Sequence, residues 1–108
     1  MKLVIAIVQD ADAHRLQEQL SAQGFTSTKL ASSGGFLREG NTTLMTGVED
    51  KEVAYVKAVI AKTCHKRQKL IRSMPIFAEL HDVSHMPLDV TVGGAVVFVL
   101  NIDEFVTL

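Results

Sequence analysis

The stretch Lys2–Gln9, KLVIAIVQ, constrains the chain most. It is an almost unbroken β-branched apolar run of strand length, of the kind found where a strand is covered on both faces. It is too short to cross a membrane. With Gln9 and Asp10 coming at its end and no small-residue cleavage site, it does not read as a signal peptide. The next segment is periodic. Asp10 or Asp12 is placed to cap a helix whose apolar residues Ala13, Leu16 and Leu20 recur at helical spacing, and Gly24 offers a left-handed stop. Thr26–Ala31 and Thr42–Val48 resume β character around Ser32–Asn41, a stretch rich in Ser and Gly, which predicts a strand pair joined by that loop.

Glu49, Asp50 and Glu52 then put negative charge in the first turn of a second helix. Val53, Val56 and Ile60 form its buried stripe, and Lys62, Lys66 and Arg67 crowd its far end, the polarity a helix dipole favours. Periodicity is lost from Ser73 to Pro87. It returns in the short strand Leu88–Val92; Gly93 and Gly94 then turn the chain into Ala95–Ile102, the most strand-like stretch of all.

This order, strand, helix, strand, strand, helix, strand, is the split βαβ arrangement of a ferredoxin-like α+β domain. An additional short hairpin strand lies near the C-terminus. A chain of 108 residues feeds one hydrophobic core, so residues 1–108 are expected to form a single domain. At this size much apolar surface stays exposed in a monomer, and burying strands against sister subunits is a natural remedy. The formal net charge of -1 argues against a nucleic-acid binder, which normally carries a strong basic excess. The single cysteine, Cys64, forms no internal disulfide, so a cytoplasmic location is the default expectation.

The fold alone assigns no function. The least ordinary segment is Ser32–Thr43, SSGGFLREGNTT. Gly34 and Gly35 allow a ligand to approach the main chain, and Phe36 beside them offers a face on which a planar base can stack. Asn41 adds an amide that donates and accepts at once, which suits the edge of an adenine. The same residues also suit a plain hairpin connection with one aromatic tucked under the sheet. Nothing in the segment resembles a catalytic set, and without a terminal Gly-Lys-Ser/Thr it is not an NTPase phosphate loop.

Several stretches in order give the chain a resemblance to the PII-like cyclic di-AMP receptors of bacteria: IAIVQD at Ile5–Asp10, TKLA at Thr28–Ala31, GGFLREGNTT at Gly34–Thr43, and GG followed by VFVL at Val97–Leu100. The ending FVLNIDEF at Phe98–Phe105 is similar to the closing strand of PII proteins more broadly. The resemblance implies a PII-like homotrimer without catalytic activity or cofactor. It implies cyclic di-AMP, or a related adenine nucleotide, bound in clefts between subunits, and loop rearrangement read by a downstream protein.

Position by position, the resemblance implies that Phe36 stacks on an adenine, that Gly35 and Leu37 meet the base through main-chain groups, and that Asn41 reads its polar edge. Thr28 is implied to approach a phosphate, and Gly47 and Phe98 to line the cleft. The chain departs from the family pattern on the phosphate side: Gly24 and Thr26 stand where an asparagine and an arginine are usual, and Thr107 where a glutamine is usual. MPIFAELHDVSHMP at Met74–Pro87 replaces a glycine-rich segment.

A second reading is a ferredoxin-like trimer of the copper-tolerance kind, or a structural protein without nucleotide. Cys64, His65, His81, His85 and Met86 supply soft sulfur and imidazole donors, but their spacing matches no closed zinc pattern. The basic run Lys62–Arg72 either meets phosphate or simply serves a helix C-terminus.

Overall fold

A computed structural model of the chain describes residues 1–32, 40–71 and 88–108. Its elements are β1 (Lys2–Gln9), α1 (Asp10–Ala22), β2 (Thr28–Ser32), β3 (Asn41–Val48), a 3-10 turn (Asp50–Glu52), α2 (Val53–Cys64), β4 (Arg67–Ile71), β5 (Leu88–Val92) and β6 (Ala95–Asn101). Four strands form an antiparallel sheet in the order β2-β3-β1-β6, the ferredoxin-like arrangement, with the β-branched run as a central strand. β4 and β5 pair separately as a two-stranded ribbon inserted between α2 and β6.

Side chains on a strand alternate between faces, and here the alternation sorts the sheet cleanly. Val4, Ala6 and Val8 of β1 and Leu44 and Val48 of β3 point to one face, where Ala13, Leu16 and Leu20 of α1 and Val56, Ile60 and Cys64 of α2 close over them. Each fully buried leucine or valine there stabilises the fold by roughly 1.5–3 kcal/mol relative to exposure.

The first helix ends as its glycine predicts. Gly24 takes a φ of 87°, its N–H donates to Ser21 O at 3.0 Å, and the Phe25 N–H donates to Leu20 O at 2.9 Å. That pair of bonds is a Schellman closure, and Phe25 as the following residue packs on the core. The second helix is introduced by a reciprocal cap in which the Glu49 N–H donates to Glu52 Oε1 at 2.9 Å.

Three expectations need correction. Neither Asp10 nor Asp12 caps α1; Gln9 occupies the cap position without a side-chain bond, and both aspartates lie inside the first turn. The basic run does not continue as helix: α2 stops at Cys64, and Arg67–Ile71 becomes β4 because its backbone pairs with β5, Arg67 opposite Val92 and Ile71 opposite Leu88. Gly93 and Gly94 therefore join the ribbon to the main sheet instead of turning a hairpin, since β6 pairs with β1. Both have positive φ, 83° and 92°, and the Gly94 N–H donates to Cys64 O. A Cβ on Gly93 would overlap His65 O, so only glycine passes beneath the end of α2.

Candidate functional site

Of the residues singled out in the sequence, Gly35, Phe36 and Leu37 lie outside the described residues, as do His81, His85 and Met86. The four remaining residues of the implied nucleotide site, Thr28, Asn41, Gly47 and Phe98, all fall on the sheet face opposite the helices. Register makes this plain. Thr28 pairs with Met45, Met45 with Ile5, and Ile5 with Phe98, so these residues form one row across β2, β3, β1 and β6. Gly47, Leu3 and Leu100 form a second row, and Leu30, Thr43, Ile7 and Val96 a third. Asn41, buried, sits beside Gln9 at the end of the face nearest residues 33–39.

The face is apolar and largely uncovered by the described residues. Leu30, Phe98 and Leu100 are 46%, 43% and 45% exposed. Its candidate residues are also dispersed. Thr28 and Phe98 are separated by three strand spacings, about 14 Å, and Asn41 and Gly47 by six residue steps along β3, about 20 Å. Within one chain they do not converge on a single purine. Gly47 is exposed, and a Cβ there would rest 3.4 Å from the Met1 methyl, so glycine keeps a shallow notch in the face.

At the Asn41 end the sheet is tied to α1 by polar bonds that the sequence did not reveal. The Asp10 N–H donates to Gly40 O at 3.0 Å, and the buried Thr42 hydroxyl donates to Asp10 Oδ1 at 2.5 Å. The Gly93 N–H donates to the buried Gln9 Oε1 at 2.6 Å. Asp12, 1% exposed, accepts from Arg67 Nη2 at 2.8 Å and Nη1 at 3.4 Å, with Arg15 Nη2 at 3.5 Å. This bidentate pair fastens the ribbon to the body and holds the Arg67 guanidinium above its ordinary pKa, chiefly through the Asp12 hydrogen bond. Arg67 is thereby committed to Asp12, which removes it from the cations expected to meet phosphate. The signal for Gln9, Asp10 and Thr42 was their place in the IAIVQD and GNTT stretches. The Asp12–Arg67 pair spans 55 positions and left no sequence signal.

Cys64 is free and buried. Burial pushes its thiol up to about 11, Asp12 adds to the rise, and Arg15 and Arg67 oppose it. A protonated, enclosed thiol is a poor nucleophile and a poor metal ligand. Among the described residues no group of three or more His, Cys, Asp or Glu side chains is arranged to hold a metal ion, and no helix is long and apolar enough to cross a membrane.

An antiparallel sheet in this strand order, with one face under two helices, defines a small α+β domain of the ferredoxin-like class. The family is settled by comparison. A model described as the cyclic-di-AMP receptor matches residues 1–108, and the chain belongs to that family. It is also similar to a crystallised protein of unknown function from Pediococcus pentosaceus ATCC 25745. The two share 43% sequence identity over 99% of this chain and 96% of that one, with a TM-score of 0.79.

Proposed function

We propose that the protein binds cyclic di-AMP, or a related adenine nucleotide, in clefts between the subunits of a homotrimer, and that occupancy rearranges the segments around the cleft for a downstream protein to read. Membership of a receptor family supports binding rather than catalysis. The observation that carries the finer reading is the open sheet face. It is apolar, and it bears Thr28, Asn41, Gly47 and Phe98 too far apart for one chain to enclose a base. Copies packed through this face would cover Leu30, Phe98 and Leu100 and would bring the β2 side of one subunit toward the β6 side of another. Thr28 and Phe98 would then meet one nucleotide from different chains.

In this reading Phe36 stacks on the adenine, Gly35 and Leu37 hold it through the main chain, and Asn41 reads its edge. Stacking on an aromatic contributes roughly 1–3 kcal/mol per base. The test is a calorimetric titration with cyclic di-AMP, ATP, ADP and AMP on the wild type and on Phe36→Ala. Saturable binding by an adenine nucleotide that weakens at least tenfold in Phe36→Ala, with the melting temperature held, is the expected result. Equal affinity in the two proteins, with a loss of stability, would make Phe36 a packing residue and remove the stacking role.

A further inference from the structure

We propose that Asp10 is a positioning residue for this site: it fixes Gly40–Thr42, and through them the side chain of Asn41 on the open face. The inference rests on the adenine reading and adds a residue to which the resemblance gave no role at the nucleotide.

Three atoms of Asp10 engage the start of β3. Its main-chain N–H donates to Gly40 O at 3.0 Å, and its Oδ1 accepts from Thr42 Oγ1 at 2.5 Å. Its Oδ2 lies 2.5 Å from where a Cβ on Gly40 would stand, so a larger residue there would push the carboxylate aside. Asn41 stands between the two bonded residues. Because alternate residues of a strand face opposite ways, holding Thr42 toward the helices holds Asn41 toward the open face. The register Ser32 opposite Asn41 closes the strand pair there, so the same contact also fixes the end from which residues 33–39 depart.

A purely structural role for Asp10 predicts something different. An acidic residue in a first helical turn needs only its charge to favour the helix dipole, and needs neither Gly40 nor the Thr42 hydroxyl. Asp10 is itself exposed, so shortening it leaves no buried group stranded on its own side chain. Thr42 is 4% exposed, and valine reproduces its shape without the donor, whereas serine keeps the donor.

The experiment is calorimetric titration with cyclic di-AMP on the wild type, Asp10→Ala, Thr42→Val, Thr42→Ser and the Asp10→Ala/Thr42→Val double variant. It is accompanied by the side-chain amide resonances of Asn41 in the ligand-free proteins. Asp10→Ala and Thr42→Val should each weaken binding about threefold to tenfold, a fraction of what one hydrogen bond to a charged group carries, because the bond acts on the nucleotide only through Asn41. The double variant should be no weaker than either single change, Thr42→Ser should bind like the wild type, and the Asn41 amide should shift in Thr42→Val but not in Thr42→Ser. Should Asp10→Ala fail to fold, the valine and serine variants decide alone. Wild-type binding that Thr42→Val leaves unchanged, or losses that simply add in the double variant, would overturn this proposal and leave the adenine reading standing. A wild type that binds none of cyclic di-AMP, ATP, ADP and AMP would overturn both.

Discussion

Along β1, neighbouring side chains meet opposite surroundings. Val4, Ala6 and Val8 are sealed beneath the helices at 1%, 3% and 0% exposure, while Leu3 and Ile5 lie partly open on a face that also displays Leu30, Phe98 and Leu100. Both faces are apolar, yet only one is buried along its length; on the other, Ile7, Gln9 and Asn41 are buried at one end while Leu3, Ile5, Phe98 and Leu100 stay partly open. The covered face explains why the chain folds. The open one carries Thr28, Asn41, Gly47 and Phe98. A run of β-branched residues thus serves two purposes at once, and a single fold-forming role would have needed only every other one of them.

Truncating one residue on each face should separate the two most widely. Leu16→Ala, which empties a site with 0% exposure under the helices, should cost about 3 kcal/mol in urea unfolding at any protein concentration. Leu100→Ala should cost the isolated chain less than about 1 kcal/mol, because the residue is already half exposed, with a larger loss only at protein concentrations where copies associate. Equal, concentration-independent losses at the two positions would mean that the faces do not differ as described.

A smaller effect tests the polar edge between the faces. Arg67→Ala removes the main partner of the buried Asp12 and leaves, among the described residues, Arg15 at 3.5 Å. Because the Arg67 side chain remains 32% exposed, the expected loss is about 2 kcal/mol, below the full penalty of an enclosed pair. Hydrogen exchange should quicken first in β4 and β5, which this contact ties to the body.

The smallest effect concerns Cys64, whose thiol lies under the covered face. Burial raises its pKa from 9.0 to about 11, so the unfolded chain ionises first. Stability should be untouched below pH 9 and fall as pH rises from 9 toward 11, by on the order of 1 kcal/mol at pH 10. Cys64→Ala should flatten that part of the urea midpoint against pH profile. An equally steep decline in the variant would assign the loss to other groups.

Local patterns made most of the architecture legible. β1, the helical stripes of α1 and α2, the stop at Gly24 and the strand pair around residues 33–39 are all readable from periodicity within a few residues. The hidden parts depend on distant contacts. Arg67–Ile71 reads as a charged helix end until β5, about twenty residues later, supplies its partner. Gly93 and Gly94 read as a hairpin turn, although their backbone angles serve a passage beneath the end of α2. Asp12 reads as a cap because nothing nearby announces Arg67. The candidate site residues could be named only through family resemblance, and their layout was not legible at all. That Thr28 and Phe98 share one row and stand three strands apart emerges only from register.

If other copies of the chain complete the open face, the nucleotide should lie where they meet. Native mass spectrometry of the protein with cyclic di-AMP added in steps reads both parts together. A trimer should be the main species, with up to three nucleotides bound and none retained by dissociated single chains. A monomer that holds the nucleotide by itself, or a trimer that takes up none at saturating concentration, would contradict this arrangement.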